Sequence, residues 1–130
     1  IPEIERRYRT TNERGIIGES LAGLFIMETF LDEPSLFTHY IALDPSVWWN
    51  GGEIVESAPS HLAAFNSKQR TLYFASSLEP STSAGAAKID AALKAARPRG
   101  LRWTYAPHPD LTHGNIFRAT KPGALVDAFR

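Results

Sequence analysis

The stretch Gly15-Ile16-Ile17-Gly18-Glu19-Ser20-Leu21-Ala22-Gly23-Leu24-Phe25 constrains this chain more than any other. Ile16 and Ile17 are β-branched and predict a short buried strand. Small residues then bracket a lone serine, and an apolar run begins on its far side. Strand, sharp turn and helix, with a serine hydroxyl at the tip, are the parts of a nucleophile elbow. The turn brings strand and helix close together, so Gly18 and Ala22 have to be small. A helix starting just after Ser20 aims free N–H groups, Leu21 first, at the place where an oxyanion would develop. The usual pattern is G-x-S-x-G, whereas here the last position is Ala22, with Gly23 one further on. The plain alternative is a Gly-rich turn whose serine only caps the helix. Leu21, Leu24, Phe25, Ile26, Met27, Phe30 and Leu31 predict a helix buried on more than one face.

The rest of the chain alternates strand and helix. Ile1, Ile4 and Tyr8 at helical spacing predict the tail of a helix, and Phe37 to Leu43 reads as a second strand. Its exit, Asp44-Pro45-Ser46-Val47-Trp48-Trp49-Asn50-Gly51-Gly52, is rich in turn formers. A helical stretch broken at Pro59 follows, then a third strand from Thr71 to Ser77. Leu78 to Gly85 reads as the longest loop, and Ala86 to Ala96 as an amphipathic helix stopped by Pro98 and Gly100. Leu101, Trp103 and Tyr105 alternate in a fourth strand. After the loop Pro107 to Gly114, Asn115 to Arg130 reads as helical segments interrupted at Pro122-Gly123. The fold class is α/β: a mostly parallel sheet flanked by helices. In such a sheet, ligand chemistry gathers beyond the carboxyl ends of the strands. Ser20, Asp44, Ser77 with Glu79, and the His108–His113 loop all fall there.

Composition narrows the function classes. The 130 residues predict one domain. Lys and Arg number 14, matching 14 Asp and Glu, and no basic cluster suggests a nucleic-acid partner. The absence of cysteine removes thiolate chemistry and zinc–thiolate sites. No apolar run is long enough to span a bilayer, so no membrane partner is expected. His108, Asp110 and His113 have no further convergent ligand in the sequence, so neither a metal nor another cofactor is expected.

The combination resembles the esterase D-like branch of the α/β-hydrolases, which includes siderophore esterases of the enterochelin and salmochelin type. Tyr8-Arg9-Thr10, Gly18-Glu19-Ser20-Leu21-Ala22-Gly23-Leu24-Phe25, Asp44-Pro45-Ser46-Val47-Trp48-Trp49 and His113-Gly114-Asn115 carry the resemblance, in order, over nearly the whole chain. Glu19 stands where His is frequent, and Ala22 where Gly is. The resemblance implies hydrolysis of a small-molecule carboxylic ester, siderophore-like esters included, with Ser20 matching the nucleophile and His113 the base. Members of the fold have several strands ahead of the elbow, one early loop supplying an oxyanion-hole N–H. Residues 1–130 therefore look like the carboxyl-terminal half of a hydrolase domain. Without those strands the elbow strand is an edge, expected to pair in a symmetric homodimer or with a separate segment.

Each site residue has a bland alternative. Serine is a weak nucleophile at neutral pH and needs an adjacent base, which the imidazole of His113 supplies; otherwise His113 is a loop residue bonded to backbone. Glu79, after the third strand where this fold usually keeps its acid, is the candidate for orienting His113. Asp44 is the runner-up, and Asp110 suits a turn; some relatives manage with Ser and His alone. Trp48 and Trp49 either wall the acyl pocket or pack. Two rival functions are a non-catalytic remnant of the family and an acyltransferase using the same Ser–His machinery.

Overall fold

The computed structural model describes residues 1–130. Four strands, β1 (Gly15–Glu19), β2 (His39–Leu43), β3 (Arg70–Ser76) and β4 (Leu101–Pro107), form one parallel sheet in the order β1-β2-β3-β4. The helices are α1 (Pro2–Arg7), α2 (Ser20–Asp32), α3 (Trp49–Ala63), α4 (Pro80–Ala96) and α5 (Ile116–Phe129). No helix is long and apolar enough to cross a membrane.

Alternation along the two central strands sets the layers. Tyr40, Ala42, Leu72 and Phe74 face a core shared with Met27 and Phe30 of α2, Ala58 of α3 and Ile89 of α4. The intervening Ile41, Leu43, Tyr73 and Ala75 face Ile116, Ala124 and Ala128 of α5. Buried on both faces, these strands read as continuous apolar runs, as parallel strands do. They hold the exits of β1, β2 and β3 side by side.

Several boundaries differ from expectation for identifiable reasons. The stretch from Pro80 to Gly85 is helical, not loop: Pro80 occupies the first turn of α4, where its missing N–H has no cost. Gly85 lies inside α4 because a Cβ there would come within 2.6 Å of Val47 Cγ2. Pro59 and Pro122 lie inside α3 and α5 without ending them, while α3 is irregular at Asn50, Gly51 and Gly52, all at positive φ. α2 is also less enclosed than its composition suggests. Leu21 and Phe25, four residues apart on one helical face, are each 58% exposed. The helix packs against β1, β2 and α3, and β1 pairs with β2 alone. The outer edge of β1 is thus open.

Candidate active site

The elbow forms as its small residues require. Ser20 has φ +57°, the left-handed region that a non-glycine residue enters only when its surroundings hold it there. A Cβ on Gly18 would lie 2.9 Å from Ala22 Cβ, so the strand before the serine and the helix after it are in contact. The Ser20 carbonyl accepts the Ser46 N–H at 3.0 Å, which ties the elbow to the exit of β2. No side chain caps α2. The N–H groups of its first turn, including that of Leu21, have no acceptor within the helix.

Asp44 ends β2 and is also in the left-handed region, φ +49°. Its carboxylate is fully buried. Oδ1 accepts the Ser77 N–H at 2.7 Å and Oδ2 accepts the Ser77 hydroxyl at 2.8 Å. The same Oδ2 lies 2.6 Å from His113 Nδ1. A carboxylate only accepts, so Nδ1 carries a proton, and in the neutral ring Nε2 keeps its lone pair. The His113 side chain is 48% exposed, so its ring stands between the buried acid and solvent.

The contact at Nδ1 corrects the expectation that Glu79 holds this position. β4 is the edge strand beyond β3, yet the loop after it runs back across the sheet. His108 N–H bonds to Ser76 O at 2.7 Å and Leu78 N–H to Leu111 O at 2.9 Å, which carries His113 past the end of β3 to the end of β2. Glu79 sits at the head of α4 with its N–H on Ser77 Oγ at 3.2 Å, and its carboxylate has no hydrogen-bonding partner. Asp110 makes no side-chain hydrogen bond with His113 either.

Ser20, His113 and Glu79 line one cleft of about 270 Å³, together with Ser46, Trp48, Ser81 and Thr82. No direct hydrogen bond joins Ser20 to His113; the polar neighbour of Ser20 Oγ is Ser46 Oγ at 3.4 Å. Trp49 does not face this cleft and borders a separate groove with Leu24, Glu28 and Glu53. A larger cavity of about 1100 Å³ opens at the amino ends of β3 and β4, far from the elbow, with no serine–histidine–carboxylate set on its walls. Sequence reasoning missed two residues, Ser77 as the brace of Asp44 and Ser46 as the neighbour of Ser20. The Pro45-Ser46-x-Trp-Trp run was the available signal for the second.

No protein-family model matches the chain. The ferri-bacillibactin esterase BesA of Bacillus subtilis is 48% identical over 50 residues, which are 38% of this chain and 17% of that protein. A siderophore enterobactin esterase of Emericella nidulans is 40% identical over 43 residues, 33% of this chain and 14% of that one. Among solved structures, an IroE-like serine hydrolase from Shewanella oneidensis superposes with a TM-score of 0.80 at 25% identity, covering 98% of this chain and 42% of that one. The chain thus spans less than half the length of these siderophore esterases and hydrolases, and its fold is part of the α/β-hydrolase fold.

Proposed function

We propose that this chain is the carboxyl-terminal half of a serine hydrolase domain that cleaves carboxylic esters through an acyl-enzyme. The observation that carries the reading is the Asp44–His113 contact, opening on the same cleft as a serine held at positive φ. In the reaction, Ser20 Oγ attacks the ester carbonyl carbon while His113 Nε2 takes the hydroxyl proton. The imidazolium is stabilised by Asp44, and the oxyanion is met by the Leu21 N–H at the head of α2. Collapse breaks the bond to the alcohol, which leaves with the proton from Nε2. Water, deprotonated by the same nitrogen, then releases the acid and restores Ser20. A Ser46 hydroxyl beside Ser20 suits a role in holding the nucleophile's rotamer. Siderophore esters are the substrate class suggested by the named relatives.

Turnover of p-nitrophenyl acetate by the wild-type chain and by Ser20→Ala tests this reading, alongside fluorophosphonate labelling read by intact mass. Labelling that Ser20→Ala abolishes, with a matching loss of turnover, is the expected result. Turnover unaffected by that substitution would overturn it.

A further inference from the structure

We propose that Ser77 is a positioning residue for the reaction: its amide and hydroxyl together clamp the Asp44 carboxylate, and the hydroxyl decides which oxygen His113 meets. The catalytic part of this rests on the esterase reading, whereas the clamp itself does not. It arises where strand pairing ends. The ladder between β2 and β3 pairs Leu43 with Ala75 and runs one bond further, from Asp44 N–H to Ala75 O at 2.8 Å. In a regular parallel ladder the next bond would run from Ser77 N–H to the Asp44 carbonyl. Asp44 leaves the strand at φ +49°, and Ser77 N–H goes to Asp44 Oδ1 instead, at 2.7 Å. The side chain thus replaces its own main-chain carbonyl as the last rung. That bond alone leaves the carboxylate free to turn about Cβ–Cγ, a torsion with broad minima. The Ser77 hydroxyl removes this freedom by donating to Oδ2 at 2.8 Å, the oxygen that lies 2.6 Å from His113 Nδ1.

The surroundings of Ser77 leave its hydroxyl no other task. Ser77 is 2% exposed and Asp44 fully buried, so water does not compete for these bonds. Ser77 Oγ accepts the Glu79 N–H at 3.2 Å, and its single proton goes to Asp44. The carboxylate has no hydrogen-bonding partner besides Ser77 and His113. On either side of Ser77 the chain bonds in the opposite direction. Ser76 O accepts the His108 N–H at 2.7 Å, and the Leu78 N–H donates to Leu111 O at 2.9 Å. Ser76 and Leu78 therefore hold the loop that carries His113, while Ser77 between them holds the acid. One strip of three residues sets how acid and base stand to each other. Every group in it belongs to this chain.

The test removes the hydroxyl and keeps the amide. Ser77→Ala should lose about tenfold to a hundredfold in kcat on p-nitrophenyl acetate, the scale of a small misplacement among reacting groups, with KM unchanged. The His113 Nδ1 proton, followed by ¹H–¹⁵N NMR, should move upfield and exchange faster with water. Asp44→Asn separates action through the acid from general loosening. In that background, adding Ser77→Ala should slow fluorophosphonate labelling of Ser20 by no more than about twofold, because residues that act through one another are not additive. Ser77→Cys keeps a side chain of similar size with only a weak donor. It should fall between wild type and Ser77→Ala in kcat and in the Nδ1 shift, and it carries the comparison if the alanine variant does not fold. An unchanged kcat with an unmoved Nδ1 proton, a loss confined to KM, or the same factor lost in both backgrounds would each overturn the proposal. If turnover does not depend on Ser20, the esterase reading fails, and the Nδ1 proton alone decides whether Ser77 presents Asp44 to His113.

Discussion

Replacing Asp44 with asparagine separates the acid's charge from its shape. The carboxylate accepts three hydrogen bonds, two from Ser77 and one from His113 Nδ1. Truncation to alanine would strand the Ser77 N–H and hydroxyl in a region where Ser77 itself is 2% exposed. At about 1–3 kcal/mol for each of the two unsatisfied buried donors, the cost is about 2–6 kcal/mol. That is a large share of the roughly 5–15 kcal/mol that holds a domain of this size. Asparagine spares much of this cost, since its carbonyl oxygen still accepts the Ser77 N–H. Its amide nitrogen, however, now faces His113 as a donor. The ring must then present a lone pair at Nδ1 and move its proton to Nε2, the nitrogen that has to accept from Ser20. Asp44→Asn should therefore fold, melt within a few degrees of wild type, and lose about a thousandfold or more in kcat. KM should change little. The assay is ester turnover at neutral pH, with ¹⁵N chemical shifts of His113 reporting the tautomer independently of activity. A variant within about tenfold of wild type, or one whose Nδ1 still carries the proton, would refute the reasoning. So would a loss of the same size in Glu79→Gln.

Other expectations are briefer. Burial, partly offset by Glu13, holds the His39 pKa below its ordinary 6.5. The unfolded chain then binds the proton first, so the His39 contribution to stability is intact above pH 6.5 and is lost as pH falls below it toward the folded value. Denaturant midpoints should show this, and Glu13→Gln should deepen the acid-side loss. Gly18→Ala places a methyl 2.9 Å from Ala22 Cβ and 3.1 Å from Ile26 Cδ1; overpacking of about 1–3 kcal/mol should appear in thermal unfolding, with a loss of fluorophosphonate labelling. The open edge of β1 should pair, so sedimentation at low micromolar concentration should show a dimer that Ile17→Lys weakens. A soluble monomer with that strand free would exclude the pairing.

Much of this was legible because it is local. β-branched residues before Ser20, small residues around it and an apolar run after it specify strand, turn and helix with no help from distant chain. The strand exits were legible for the same reason, and they place Ser20, Asp44, Glu79 and His113 on one edge of the sheet. The choice between two carboxylates was not, because it depends on where the loop after β4 travels. The backbone bonds from His108 to Ser76 and from Leu78 to Leu111 turn that loop toward β2, and nothing in the local sequence announces them. The exposure of Leu21 and Phe25 was hidden for a related reason: a helix apolar all round says nothing about which side lacks a neighbour. Pro59 and Pro122 are breakers by local propensity, yet tertiary packing carries α3 and α5 past them, while Pro80 starts α4 instead of preceding it.

The three residues after β2 hold more of the site than their number suggests. Asp44 would supply the acid of the proposed reaction, Pro45 packs against Gly23 of α2, and Ser46 fastens the carbonyl of Ser20 and stands beside its hydroxyl. Proposed acid, helix contact and proposed nucleophile's brace are therefore expected to open as one cooperative unit in the sense used for amide exchange. When that turn opens, all three are released together, so the competent site lasts only as long as a single turn stays closed. Amide protons of Asp44, Ser46 and Ser77 should exchange with one common opening free energy.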